Sequence, residues 1–178
     1  MTAVADGSVT LRPVERDDIA LLDAWRNDRR HEAEYGDFMA MHRRRTSNQD
    51  RWDLDGLLTE QEGQLLICLD DEPVGVLQWH GVQYGPNRGS IALSLGIAIQ
   101  PAARGRGVGS RAQRLLADYL FEQTLTQRVE ASTDVTNLPE QRALEKAGFR
   151  RDGVLRGAQF RLGEWHDMVV YSRLRTDT

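Results

Sequence analysis

The feature that most constrains this chain is a change of hydrophobic period across residues 90–119. From Ser90 to Ile99 the odd positions, Ile91, Leu93, Leu95, Ile97 and Ile99, are large and apolar, and the even positions, Ser90, Ala92, Ser94, Gly96 and Ala98, are all small. Period two with one bulky face describes a strand that builds core on one side and leaves space on the other. From Val108 onward the apolar residues Ala112, Leu115, Leu116 and Tyr119 follow helical spacing instead. Between them lies Arg104-Gly105-Arg106-Gly107-Val108-Gly109-Ser110. Strand, glycine-rich turn, helix is an anion-binding arrangement: glycines let consecutive N–H groups approach a ligand, and the helix start adds partial positive charge. Arg104 and Arg106 each offer a charge-assisted contact to a phosphate oxygen.

The rest of the chain frames this turn. Val9 to Val14 reads as a strand, and Asp17 then caps a helix carrying Ile19, Leu22 and Trp25. Residues 28–63 are highly charged, with a helical stretch expected around Asp50 to Leu58. Gln64 to Leu69 and Val74 to His80 form a hairpin about Asp70-Asp71-Glu72-Pro73. Val129 to Thr133 is a short buried strand. Asn137 to Ala147 is a helix with Asn137 as cap, Glu140 at the capping-box position and Gly148 as terminator. Phe149 to Leu174 reads as two strands meeting near Leu162-Gly163. Alternation of this kind makes a mixed α/β sheet, and with no repeat or linker the 178 residues are expected to form one domain.

Composition narrows the function classes. The formal net charge is -4, so the bulk basicity that generic nucleic-acid binding exploits is missing, and phosphate contacts must be local. Of the 23 cations, only Lys146 is a lysine, so bidentate guanidinium groups are what the chain offers to phosphates. Cys68 is a lone cysteine, no stretch approaches the roughly 20 apolar residues of a membrane span, and the first ten residues do not look like a secretory signal. A soluble, reducing, cytoplasmic setting without membrane partner is expected.

The glycine spacing excludes two common phosphate motifs. A dinucleotide fingerprint needs Gly-x-Gly-x-x-Gly, but Gly105, Gly107 and Gly109 are spaced by two, and a nucleotide P-loop needs a lysine that is not here. Read as Arg-x-x-Gly-x-Gly, the segment with Arg104, Gly107 and Gly109 resembles the diphosphate-binding signature of the GNAT N-acetyltransferase superfamily. The Asn137-led helix ending in Lys146-Ala147-Gly148-Phe149 resembles that superfamily's second landmark. Leu11-Arg12-Pro13, Trp25-Arg26-Asn27-Asp28 and Trp165-His166-Asp167 are similar to the RimJ/RimL-like branch.

The resemblance implies a GNAT-like fold: a central, mostly antiparallel mixed sheet of about seven strands, helices on both faces, and a splay between the fourth and fifth strands. It implies acetyl-coenzyme A in that splay, paired with the strand Ser90 to Ile99, and no metal. Ile97, Ala98, Ile99, Arg104, Gly105, Arg106, Gly107, Val108, Gly109, Ser110 and Asn137 are the cofactor-binding candidates. The N–H of Ile97 or Ala98 would donate to the thioester carbonyl as charge develops. The small even-numbered residues would make room for the cofactor arm, with a bulge near Gly96 able to change the face involved.

The expected reaction is direct attack by an amine on the thioester, which needs a proton acceptor for the amine and no covalent enzyme intermediate. Cys68 is therefore read as strand packing. Here the sequence departs from the family pattern. Ser94 stands where many members carry a glutamate base, and Leu144 where many carry a tyrosine that protonates sulfur. Ser94 and Asn137 remain as catalytic candidates, Glu140 is assigned to capping, and Glu130, Asp134, His80 and His166, or a water chain, are the alternative bases. Asp50, Asp53, Asp55, Glu60 and Glu62 either attract a cationic amine or form a solvated helix face. The acceptor is a peptide or protein α-amine or a small-molecule amine, the protein a monomer or homodimer. The rival expectation is a non-catalytic acyl-coenzyme A sensor.

Overall fold

A computed structural model describes residues 4–27 and 48–177. The chain folds into one eight-stranded sheet in the order β1-β2-β3-β4-β5-β6-β8-β7, with strands β1 (Val4–Asp6), β2 (Val9–Pro13), β3 (Glu62–Leu69), β4 (Glu72–Gln83), β5 (Ile91–Ile99), β6 (Arg128–Asp134), β7 (Arg150–Arg161) and β8 (Glu164–Leu174). All neighbours are antiparallel except β5 and β6. The helices among the described residues are α1 (Ile19–Asn27), α2 (Asn48–Asp55), α3 (Val108–Gln123) and α4 (Leu138–Lys146).

The sheet thus has eight strands rather than about seven. The added strand is β1, hairpinned to β2 through Gly7 at φ +63, a turn that Asp6-Gly7 signals but that three residues of strand do not. The parallel pair therefore comes fifth and sixth, although it is formed by the two segments expected.

Each face of the sheet buries a different helix pair. Leu11, Ile67, Leu77, Leu95, Val129 and Val169 pack with Ala112, Leu116 and Leu120 of α3 and Leu144 of α4. On the opposite face Leu66 and Cys68 pack with Val14, Ile19, Leu22 and Leu57, joined by Trp25 and Trp52 of α1 and α2. β3 is central and buried along nearly its whole length, so it has no amphipathic alternation to show. The edge strand β7 is exposed along most of its length.

This arrangement corrects three local expectations. Glu15, not Asp17, is the cap: it precedes a short 3-10 turn (Arg16–Asp18) leading into α1, and Asp18 Oδ2 accepts the Glu15 N–H at 2.8 Å while both its oxygens hold Arg12. Hydrogen bonding to Arg12 holds the Asp18 carboxyl below its ordinary range, against the opposing effect of burial. The β4–β5 register runs without a shift from Gly75↔Ile99 to Gln83↔Ile91, so Gly96 carries no bulge. Finally, Val76 pairs with Ala98 and belongs with the α1 and α2 cluster, which puts Ala92, Ser94, Gly96 and Ala98 on that face. These small side chains therefore point away from α3 and α4.

Helix α4 ends as its sequence requires. Gly148 takes φ +89, and the Phe149 N–H donates to the Leu144 carbonyl at 3.0 Å, closing the last turn. The β7–β8 hairpin turns at Leu162 and Gly163, at φ +50 and +84, where two strands were expected to meet.

Close approach of β4 to β5 depends on Gly75, because a Cβ there would overlap the Ala98 carbonyl oxygen, and backbone cannot move aside as a side chain can. Gly75→Ala is expected to destabilise the protein by about 2 kcal/mol in a urea melt, an overpacking cost.

Candidate functional site

Strands β5 and β6 touch through only two pairs, Leu93↔Val129 and Ser94↔Glu130, and then part. Which backbone groups the parting exposes follows from hydrogen bonds at the two ends of β5. The Gln100 N–H donates to Val74 O at 2.8 Å, and the Ser90 carbonyl accepts the Tyr84 N–H at 2.9 Å, so the peptide groups of even-numbered residues face β4. Those of odd-numbered residues face the opening, as the period of a strand demands. The Ile97 N–H therefore points into the split and the Ala98 N–H toward β4. Of the two oxyanion-donor candidates, the geometry favours Ile97.

A groove of about 770 Å³ runs from this split to the start of α3. Ile97, Ala98 and Ile99 line it from β5. Arg104, Gly105, Gly107, Val108, Gly109 and Ser110 line it from the turn and the first residues of α3. Gly107 sits before α3 at φ +75 with no side-chain cap, so the first helical N–H groups are left facing the groove. Anions are held at such a helix start. Arg104 is fixed across the mouth, its Nε donating to Ile99 O at 2.8 Å. Arg106 is the one cofactor candidate whose side chain does not line the groove, and its carbonyl accepts from Arg111 at 2.9 Å.

The far wall is α4, and most of it was missed in the sequence. Pro139, Arg142, Ala143 and Lys146 face the groove. Their spacing of three, four and seven marks one helix face, a signal that was available. Two cations, Arg142 and Lys146, thereby join Arg104 around the helix start. Asn137 also lines the groove. Its Oδ1 accepts the Glu140 N–H at 3.4 Å and its Nδ2 donates to Thr133 Oγ1 at 2.9 Å, so it caps α4 as expected while flanking the groove.

Glu140 departs from its expected role. Its backbone N–H is capped, but the Asn137 N–H that a capping box would satisfy with the Glu140 carboxylate donates to Asp134 O instead. The Glu140 side chain turns into the groove, where burial pushes its carboxyl up to about 7, with Gln113 acting in the opposite direction. Gln113 itself is completely buried beneath the groove, close to Glu140, and neither atom of its amide reaches hydrogen-bonding geometry with any described residue. Burial thus favours the neutral form of the Glu140 carboxyl, and the Gln113 amide near it has no hydrogen-bond partner among the described residues.

The remaining candidates do not line the groove. Ser94 is outside the groove and pairs across β4 with His80. Glu130 is buried and accepts from Tyr84 Oη at 2.9 Å and from Arg128 Nε at 2.8 Å. Burial and that hydrogen bond raise the Tyr84 hydroxyl, which remains a donor. Asp134 is buried as well. Its Oδ1 accepts from Thr136 N and Oγ1 at 2.7 and 2.6 Å, and its Oδ2 meets Arg161 and, at 3.0 Å, His166 Nδ1. Burial alone would raise the Asp134 carboxyl, but the Thr136 bonds and the neighbouring Arg161 and His166 bring it below its ordinary value. Leu144 is fully buried in core and donates nothing to sulfur. Asp53 and Glu62 face Arg16 and Arg51, and Asp55 accepts the Leu57 N–H at 2.8 Å, so these three acids are tied up locally. Cys68 packs in the α1 and α2 cluster, and burial raises its thiol.

A split parallel pair with an uncapped helix start, glycines and cations at its mouth suits an acyltransferase that takes its acyl group from a diphosphate-bearing thioester. Comparison with known proteins narrows this. The acetyltransferase (GNAT) domain pattern matches residues 8–150. The probable N-acetyltransferase YjcK of Bacillus subtilis is 30% identical over 136 residues, 76% of this chain and 71% of that protein. The aminoglycoside N(6')-acetyltransferase type 1 of Klebsiella pneumoniae is 27% identical over 161 residues, 85% of this chain and 78% of that one. Mycobacterium smegmatis RimJ, solved in complex with CoA-disulfide, superposes with a TM-score of 0.76 at 25% identity, covering 97% of this chain and 86% of its own. The chain belongs to the GNAT acetyltransferase family and is an acetyl-coenzyme A-dependent N-acetyltransferase. Among the described residues no group of three or more His, Cys, Asp or Glu could hold a metal ion, and no helix is long and apolar enough to cross a membrane.

The groove walls generate two predictions. Replacing Arg104, Arg142 or Lys146 by Ala should weaken coenzyme A about tenfold or more in calorimetry, the worth of a charge-assisted bond, and leave a pantetheine fragment unaffected. Arg106→Ala should change neither much. Glu140 sets a pH dependence. Its folded value of about 7 lies above that of the unfolded chain, so stability present at pH 4 is lost as pH rises toward 7. Above that value the groove also carries a carboxylate that repels phosphate. Coenzyme A affinity should therefore fall as pH rises through 7, and Glu140→Gln should flatten that fall and add on the order of 2 kcal/mol of stability at pH 8.

Proposed function

We propose that the acceptor is the free α-amine of a peptide or protein. The observation that carries this reading is the geometry of the split: the groove reaches it from the α3 and α4 side, and the small side chains of β5 lie on the opposite face. An acceptor chain can approach there without crossing the cofactor groove. Exposed Phe160, Leu162 and Trp165 on the β7–β8 hairpin offer apolar surface for neighbouring side chains of such a chain. The RimJ/RimL-like landmarks point the same way. A small polycationic amine is the second reading, favoured by the 27% identity to an aminoglycoside acetyltransferase over most of the chain. A reducing cytoplasm suits the single buried thiol, and either a monomer or a homodimer is compatible with these acceptors.

Release of free thiol on mixing the protein with acetyl-coenzyme A and one amine at a time tests this. A short peptide with a free N-terminus should be turned over with a kcat/KM at least about tenfold above an aminoglycoside or a polyamine, and the N-acetylated peptide should give none. Faster turnover of the aminoglycoside would move the assignment to the second reading. Tight coenzyme A binding with no acceptor-dependent release would favour an acyl-coenzyme A sensor.

A further inference from the structure

Four side chains were open as proton acceptors for the amine, and the structure separates them. The Glu130 carboxylate is buried and held by Tyr84 and Arg128. Asp134 has both oxygens engaged by four donors and is itself buried. His166 is held at both ring nitrogens, Nδ1 by Asp134 and Nε2 3.3 Å from the Arg161 carbonyl. His80 differs from all three. It is exposed, and its imidazole has no hydrogen-bond or ion-pair partner among the described residues.

Its place in the sheet is specific. The register runs Glu62↔His80↔Ser94↔Glu130↔Ser172 in one transverse row across β3, β4, β5, β6 and β8. Laterally paired residues point to the same face, here the α1 and α2 side, with directly opposed Cβ atoms about 5 Å apart. The row crosses the sheet at the last β5–β6 pair before the strands part. His80 is thus the immediate neighbour of Ser94, on the face that carries the small residues of β5. Ser94 has no hydrogen-bond partner for its hydroxyl among the described residues either.

We propose that His80 is the catalytic base that takes the proton from the acceptor amine, beside Ser94 at the vertex of the split. This rests on the amine N-acetyltransferase reading. The acceptor ammonium gives a proton to the free ring nitrogen of His80. The lone pair so exposed forms the C–N bond to the acetyl carbonyl carbon as the C–S bond breaks, its electron pair leaving on sulfur. The new amide sheds its remaining excess proton to solvent, and the sulfur takes one, from the imidazolium or from water. Charge balances without a redox step or metal. Imidazole is the side chain whose proton exchange falls near neutrality, as this transfer needs. The charged groups that face His80 are Glu62 on β3, paired with Arg51, and Glu130 on β6, paired with Arg128. Each carboxylate already has its counter-ion.

The test is kcat/KM for the acceptor against pH, between about 5.5 and 9, for the wild type, His80→Gln and Glu130→Gln, with coenzyme A affinity measured alongside. Wild-type turnover is the first arm, and its absence would strike the acetyltransferase reading rather than this assignment. His80→Gln should lose about 100-fold or more at neutral pH, flatten the acidic limb of the profile and bind coenzyme A as before. In His80→Ala, added 4-methylimidazole should restore part of the lost rate, which a role in folding alone would not permit. Near-wild-type turnover in His80→Gln, an unchanged acidic limb, or an acidic limb abolished by Glu130→Gln instead would overturn the proposal.

Discussion

The site depends on strands that stop pairing. Two residue pairs join β5 to β6, and past them the odd-numbered peptide groups of β5 have no strand beside them. Buried backbone N–H and C=O groups without partners are costly, so a sheet parts in its middle only where something else can pair with the exposed edge. The amide-bearing arm of coenzyme A has the donors and acceptors to do so. β6 meanwhile stays fully paired with β8 along seven residues, which allows it to diverge without losing its own ladder.

From this parting the two faces acquire different chemistry. On one, α3 and α4 flank a groove lined by the uncapped start of α3, by Arg104, Arg142 and Lys146, and by Glu140. On the other, a row of polar residues crosses the sheet at the vertex, with both of its carboxylates paired with arginine. Burial raises the Glu140 carboxyl in the groove, and arginines pair the carboxylates of the row on the opposite face, so both faces limit unpaired negative charge near the parting.

The sequence made some of this readable and hid the rest for physical reasons. The strand from Ile91 to Ile99, its glycine turn and α3 were legible because period and glycine spacing are local properties, and they carry nine of the eleven cofactor candidates to the groove, with Asn137 added by α4. The α4 wall was overlooked because Arg142 and Lys146 look like ordinary solvated charges until α3 packs beside them. Glu140 was read as a capping residue since the capping-box spacing is present, yet the Asn137 N–H finds Asp134 instead and frees the carboxyl. Which face of β5 the cofactor meets was invisible, because alternation says that two faces differ but not which helices cover them. The row from Glu62 to Ser172 joins residues up to 110 positions apart, and only register brings them together.

The central claim is that main-chain amides, at the turn and along the odd edge of β5, grip coenzyme A. Amide hydrogen exchange with and without coenzyme A measures those groups directly. Slowed exchange is predicted at residues 105–110 and at Ile97, with Ala98, already bonded toward β4, little changed. Stoichiometric binding that left the exchange of both segments untouched would contradict the account.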